Sequence, residues 1–313
     1  MRAVTISDES VVVREHPDPE PAKNEILVRV RAAGLNGADI LQRAGRSPAP
    51  PGSSQDIPGL ELAGEVAAVG PGVERFSEGD RVMAIVGGGG QAELAVVHER
   101  AAMPVPEALD WPAAGGFPEV FTTAHDALFT QAGLCAGESL LVHGAAGGVG
   151  TAAIQLGSAL GARVTATVRR EEARPEVEKL GATVIAPEGF EEHGPFDVIL
   201  ELVGAPNLGA NVKALATQGR IAVIGIAAGA KGEINLAALM GKRGTLHAST
   251  LRARPLEEKA IAQRLVERHV LPLVEAGQVR VPVAATYGLE EVAEAYERFT
   301  SGGKLGKIVL TME

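Results

Sequence analysis

Cysteine is almost absent from this chain: Cys135 is the only one in 313 residues. A single thiol excludes internal disulfides and any cysteine-rich zinc lobe, and it fits a reducing cytoplasm. Aromatic residues are nearly as scarce, at 3%. The cores must therefore be assembled from Ala, Val, Leu and Ile, and few rings remain to stack on nucleic-acid bases. Positive charge is in deficit as well, since 29 Lys and Arg against 39 Asp and Glu leave a formal net charge of -10. Such a surface repels DNA, RNA and anionic lipid. No uninterrupted apolar run reaches the roughly eighteen residues of a membrane span, and no apolar leader segment follows Arg2. These absences predict a soluble, cytoplasmic protein with no nucleic-acid or membrane partner.

What is present is a high apolar fraction, 46%, in a chain long enough for two cores. Its most informative stretch is Leu140 to Leu156, LLVHGAAGGVGTAAIQL, in which an apolar strand, a glycine turn and an amphipathic helix follow one another without a gap. Ala146, Gly147, Gly148 and Val149 fall where the helix begins. Backbone NH groups there point outward and the helix dipole favours negative charge, as a dinucleotide pyrophosphate requires. Gly147 allows close approach of the backbone to a ligand, and Gly150 allows the helix to pack tightly on the strand. The pattern departs from GxGxxG at its first place, which holds Ala145. A second apolar strand, Arg163 to Val168, follows after one helix length and closes a βαβ unit.

Three parts are expected. Residues 1–119 carry short alternating strands and glycine turns and read as a β module, with a long Pro- and Gly-rich loop from Gly45 to Gly59. Residues 120–254 alternate strands and helices, with strands at Leu140 to Val142, Val164 to Thr167, Val198 to Leu202 and Ile221 to Gly225. Alternation of this kind predicts a doubly wound parallel sheet, so the fold class is α/β. Residues 255–313 return to the first part, with a helix over Leu256 to Glu275 whose apolar positions are Ile261, Leu265, Val266 and Val270, and a last strand from Lys307 to Thr311.

The segments GLNGADILQRAG (34–45), PGLELAGEV (58–66), GPGVERFSEGDRV (70–82), KRGTL (242–246) and GKIVL (306–310), together with the glycine turn, resemble the quinone oxidoreductases of the medium-chain dehydrogenase/reductase superfamily. GGGGQAELAVV (87–97) and FPEVFTTAHDAL (117–128) are most similar to the p53-inducible subgroup. The resemblance implies a GroES-like β domain split around an inserted Rossmann domain, with NADPH and a quinone or enone substrate in the cleft between them, and a homodimer. Zinc-dependent relatives place a cysteine near Asn36 and a histidine in a GHE motif. Here the motif reads Gly59, Leu60, Glu61, so neither ligand is available and no metal site is expected. The seven histidines show no paired metal spacing.

The same resemblance places Asn36 and Thr123 at the catalytic centre, Asn36 donating its amide to a substrate carbonyl and Thr123 bonding the nicotinamide carboxamide or substrate oxygen. Helix packing is the competing reading of Thr123, and a helix cap that of Asp39. Gly225 and the stretch from Ser249 to Leu251 would border the nicotinamide, and Lys304 would reach a cofactor phosphate or else lie on the surface. The end of the second Rossmann strand carries no acid but Arg169 and Arg170, which suit a 2′-phosphate and so NADPH. The alternative is a solvated helix start paired with Glu171 and Glu172. Ser47 stands where close relatives carry a tyrosine, which predicts a more open pocket. The favoured activity is NADPH-dependent quinone reduction, with solvent protonating the product oxygens. An enal or enone reductase, and a nucleotide-binding protein with little turnover, are the other readings.

The metal expectation is directly testable. The purified protein should contain no stoichiometric zinc by elemental analysis and should keep its activity in a chelator. Bound zinc together with chelator-sensitive activity would contradict the reading of Asn36 and Leu60.

Overall fold

The computed structural model describes residues 1–312 and divides into two compact units. Unit 1 is discontinuous, Met1–Thr122 with Leu251–Glu313, and unit 2 is Thr123–Thr250. Cuts expected after Glu119 and Arg254 differ from these by a few residues.

The first stretch of unit 1 holds β1 (Arg2–Ser7), β2 (Ser10–Glu15), β3 (Glu25–Gly34), α1 (Gly37–Arg43), β4 (Glu61–Val69), β5 (Arg81–Ile85), β6 (Leu94–His98), β7 (Ala102–Pro104) and α2 (Trp111–Gly115). Helix α3 (Pro118–His125) spans the boundary between units and runs into a π-helical segment, Asp126–Gln131. Unit 2 alternates β8 (Ser139–Val142), α4 (Gly148–Leu160), β9 (Arg163–Thr167), α5 (Arg174–Glu178), β10 (Thr183–Ile185), β11 (Phe196–Glu201), α6 (Leu208–Ala214), β12 (Leu215–Val223), α7 (Leu236–Lys242) and β13 (Thr245–Ala248). Unit 1 resumes with α8 (Leu256–His269), α9 (Leu271–Glu275), β14 (Val283–Gly288), α10 (Val292–Thr300) and β15 (Lys307–Thr311).

In unit 1 the strand order is β14-β15-β3-β4-β5-β7, with β6 also on β3. Alternation along β3 turns Ile26, Val28 and Val30 into a core shared with Leu62, Val66, Val82, Ile308 and Leu310. Tyr296 of α10 closes that core. One expected helix is two. The run over Leu256 to Glu275 breaks at Val270 because Pro272 has no NH to continue the ladder and its ring clashes with the preceding turn. Of its four apolar positions, Val266 and Val270 are buried, whereas Ile261 is 58% exposed.

In unit 2 the six strands run parallel in the order β10-β9-β8-β11-β12-β13. The order reverses direction between β8 and β11, and ligands of doubly wound sheets lie outside the carboxyl ends of strands at such a point. Leu141, Ile199, Ile221, Val212, Phe190 and Phe196 fill one face. No helix among the described residues is long and apolar enough to cross a membrane.

Helix α4 lies close to the turn that precedes it. A Cβ on Gly150 would stand 2.6 Å from the Gly144 carbonyl oxygen and 2.7 Å from Ala145 Cα, both backbone atoms that cannot swing aside. Gly150→Ala should therefore lower stability by about 1–3 kcal/mol, the usual cost of overpacking. It should also weaken dinucleotide binding, because the start of α4 must move. Thermal unfolding and a fluorescence titration with the cofactor check both effects.

Candidate active site and dinucleotide site

The candidate dinucleotide site of unit 2 begins with Gly144, whose φ of +62° turns the chain sharply at the end of β8. Gly147 is the N-cap of α4 with extended backbone, and no side chain caps the helix there. Ala146, Gly147, Gly148 and Val149 are all partly exposed. The first NH groups of a thirteen-residue helix thus lack intrahelical partners and are accessible, which fits a pyrophosphate. At Gly147 an added Cβ would meet only the Gly144 carbonyl oxygen, at 3.3 Å. The missing side chain therefore leaves room on the outward side, where a ligand would lie.

The end of β9 carries Arg169 and Arg170, both exposed, and neither enters an ion pair among the described residues. Glu171 instead faces Arg174, 3.9 Å away, one helical turn along. The alternative pairing of the two arginines with Glu171 and Glu172 is therefore not what the geometry shows. Arg174 was not singled out from the sequence. Its guanidinium also donates to the Val168 carbonyl at 3.4 Å, so it stands on the same strand end as the other two. The signal was present in its place on the first turn of the helix that follows β9.

Gly225 lies against Leu202, whose carbonyl oxygen would be 2.5 Å from an added Cβ. The Ser249 NH donates to the Val223 carbonyl, continuing the β12–β13 ladder. Thr123 is buried on α3. Leu251 is buried in unit 1 against Ile85 and Ala262, so its side chain belongs to that core. Lys304 is turned inward: its amine sits 3.6 Å from the Phe299 ring centroid and donates to the Phe299 carbonyl. Burial, then the charges of Lys307 and Arg298, lower its pKa to about 8. An amine so placed is a weaker phosphate ligand than the sequence suggested. Cys135 is exposed.

Unit 1 holds a buried polar cluster where zinc-dependent relatives would bind metal. The Lys307 ammonium donates to the Leu35 carbonyl (2.7 Å), Asn36 Oδ1 (2.8 Å) and Glu61 Oε1 (2.6 Å). Lys307 is 3% exposed and Glu61 fully buried. An ammonium has three protons, and all three have acceptors. Because Lys307 can only donate, Asn36 must turn its oxygen toward it, and its Nδ2 then donates to Glu61 Oε1 (2.9 Å) and the Gly34 carbonyl (3.2 Å). Glu61 Oε2 accepts the Glu119 backbone NH at 2.8 Å. Gly34 is required here, since a Cβ would collide with the Glu61 carboxylate. This donor set does not fit zinc, because a fixed positive charge bonds the very atoms that would face the metal. Among the described residues no three His, Cys, Asp or Glu come together in a way that could hold a metal ion. Both amide protons of Asn36, expected to serve a substrate carbonyl, have acceptors within the protein.

Asp39 joins this cluster to the neighbouring loop. Its two oxygens accept the backbone NH groups of Asn36 (2.8 Å) and Gly59 (3.0 Å), so it caps α1 while fixing the approach to Glu61. Burial raises its pKa to about 6, against those two bonds and the charges of Lys307 and Arg252. The buried Arg252 guanidinium donates to the carbonyls of Gly87 (2.8 Å) and Ser47 (3.3 Å) and to Gln42 Oε1. It thereby holds the loop from Gly45 to Gly59, a function that a lone arginine in the returning segment did not announce in the sequence.

Removing one member of a buried ion pair strands the other. Lys307→Met should destabilise the protein by about 3–5 kcal/mol in urea unfolding, whereas combining it with Glu61→Gln should recover part of the loss. Equal stability of the single variant and the parent would show that Glu61 is not held as described.

Residues 22–107 match the alcohol dehydrogenase GroES-like domain and residues 180–310 match the zinc-binding dehydrogenase family. Quinone oxidoreductase of Rattus norvegicus is 33% identical over 309 residues, covering 94% of this chain and 91% of the relative. Acryloyl-coenzyme A reductase of Metallosphaera sedula is 31% identical, covering 99% of this chain and all of the relative. An alcohol dehydrogenase superfamily protein from Novosphingobium aromaticivorans superposes with a TM-score of 0.88 at 30% identity, with both chains covered completely. With the split unit 1, the doubly wound unit 2 and the glycine turn at the switch point, these likenesses show that the chain belongs to the quinone oxidoreductases of the medium-chain dehydrogenase/reductase superfamily, oxidoreductases of the nicotinamide-dinucleotide-binding fold.

Proposed function

We propose that the protein is a zinc-independent, NADPH-dependent reductase of quinones or related conjugated carbonyl compounds. The observation that carries this reading is the closed network of Asn36, Lys307 and Glu61. Every proton of the ammonium and of the amide has an acceptor, so this cluster offers no dedicated acid to a reduced oxygen. A quinone needs none, because its reduced oxygens take protons from water, whereas reduction of a saturated aldehyde leaves an alkoxide that does. Asn36 reaches an acceptor by exchanging its longest bond, to the Gly34 carbonyl at 3.2 Å, for one to the acceptor oxygen. The Lys307 charge on Asn36 Oδ1 polarises the amide and strengthens that donation. Thr123 is the second group assigned to the reacting end.

The nicotinamide cofactor supplies the hydride when bound. The start of α4 binds its pyrophosphate, and Arg169, Arg170 and Arg174 support a 2′-phosphate and hence NADPH over NADH. The exposed Cys135 and the absence of a disulfide among the described residues suit a cytoplasmic enzyme. A second copy of the chain is the proposed partner: β13 is an edge strand, and Ile226, Leu236, Met240 and Leu246 are exposed on unit 2. The second reading is reduction of an enoyl thioester or enone, favoured by the full-length likeness to acryloyl-coenzyme A reductase.

The test is an anaerobic comparison of kcat/KM for a benzoquinone, a larger ortho-quinone, an enone, an enoyl thioester and a saturated aldehyde. Quinones should be used at least tenfold better than the aldehyde. A more than tenfold advantage for the enone or thioester would transfer the assignment to the second reading. Failure of every acceptor would favour a nucleotide-binding protein with little turnover.

A further inference from the structure

The sheet of unit 2 carries a row of buried polar groups that the pyrophosphate site does not use. In the parallel register Val142 lies beside Ala166 on one side and Leu200 on the other. The next residue of each strand, Thr167, His143 and Glu201, therefore stands in one line across the carboxyl edge of β9, β8 and β11. Helix α6 adds Asn211 to that line, and all four are at least 95% buried.

Their hydrogen-bond directions follow from the carboxylate at one end, which can only accept. Glu201 Oε1 accepts the backbone NH groups of Val203 (2.6 Å) and Gly204 (2.8 Å), and its Oε2 accepts from Asn211 Nδ2 at 2.7 Å. Asn211 Oδ1 is thus turned to His143 Nε2, 2.9 Å away, and Nε2 must carry the proton. Burial lowers the pKa of the ring against the opposing pull of Glu201 and Asn211, which favours the neutral form; with the proton on Nε2, Nδ1 accepts the Thr167 hydroxyl at 3.0 Å. Phe190 packs edge-on against the imidazole, with ring centroids 4.5 Å apart.

The two ends of this relay lie where a dinucleotide would be read. Thr167 is two residues before Arg169, and Val168 and Arg174 hold the same strand end. His143 immediately precedes Gly144 and the glycine turn. The Val203–Gly204 turn at the other end is fixed by two backbone bonds to one carboxylate oxygen. Arg169 and Arg170 are exposed and enter no ion pair among the described residues; the segment they lie in is anchored at Val168, whose NH donates to the Ile185 carbonyl, next to Thr167.

We propose that His143, with Thr167, Asn211 and Glu201, is the positioning relay that sets selectivity for a dinucleotide bearing a 2′-phosphate, by holding the Val168–Arg170 segment in register with the glycine turn. This rests on the NADPH reading above and names the residues beneath it. None of the four touches the reacting atoms.

Thr167→Val keeps the shape of the side chain and removes the hydroxyl, whereas Thr167→Ser keeps the hydroxyl. Dissociation constants for NADPH and NADH, measured by titration without an acceptor, give a selectivity ratio that a general loss of stability leaves unchanged. Thr167→Val should lower that ratio about tenfold, the scale of one buried hydrogen bond, and Thr167→Ser should stay within about twofold of the parent. In the cofactor-free protein, amide exchange at residues 168–170 should quicken in Thr167→Val alone. His143→Leu should lower the ratio at least as far. An unchanged ratio in Thr167→Val, or equal weakening of both cofactors, overturns the relay. A parent ratio near one overturns the NADPH reading itself and the relay with it, and the two failures are told apart by the parent measurement.

Discussion

The arrangement of unit 1 depends on one interaction, the ion pair between Lys307 and Glu61 in a place without water. Each charge alone would be costly there, and together they are tolerable because every ammonium proton has an acceptor and both carboxylate oxygens have donors. That requirement explains features that otherwise look unrelated. Gly34 lacks a side chain because the Glu61 carboxylate occupies its space. Asn36 presents its oxygen inward because an ammonium accepts nothing. Glu119 gives its backbone NH to the far oxygen of Glu61. In zinc-dependent relatives a dication would organise this region; here a fixed ammonium does so, with a directional set of bonds in place of an exchangeable ligand position.

Unit 2 solves a related problem without charge neutralisation. Three buried polar side chains lie side by side because the parallel ladders keep β9, β8 and β11 in step at their carboxyl ends, and α6 adds Asn211 as the fourth. The donors point one way, so the row has a single direction from Thr167 to Glu201. A row of this kind stiffens three strand ends at once. It thus offers a rigid floor to whatever the glycine turn and the neighbouring arginines bind.

The parts of this structure that could be read from the sequence are those written in local patterns. The turn from Leu140 to Leu156 announces its strand, its bend and its helix within seventeen consecutive residues, and the alternating strands and helices of unit 2 follow from apolar periodicity. Local signals are also where the reading was too simple: a helical pattern over Leu256 to Glu275 ignored the missing NH of Pro272. The residues that were overlooked act through distant partners. Lys307 stood only inside a matching segment, and nothing near it indicates that it reaches Glu61, 246 positions earlier. Arg252 holds Ser47 and Gly87 from a segment that returns after the whole of unit 2. His143 carries no local signal, since the histidines show no paired spacing in the sequence. It lies in a row with a threonine, an asparagine and a glutamate, which the strand register and helix α6 bring together. The orientation of the Asn36 amide likewise is set by Lys307 and has no local signal in the sequence.

The placement of β15 has a consequence for how the chain is made. This strand lies between β14 and β3 in the sheet of unit 1, and it brings the Lys307 ammonium to Glu61. On the ribosome, all of Thr123–Thr250 emerges before β15 does. Unit 2 is continuous and its contacts are complete by then, so it can fold while the earlier strands of unit 1 wait with an unfilled slot beside β3 and an unneutralised carboxylate. Until the final strand arrives, that half of the molecule offers an open sheet edge to chaperones, or to another nascent chain. The charge that completes the interior is thus also the last to be delivered, and it makes closure of unit 1 a late event in biogenesis.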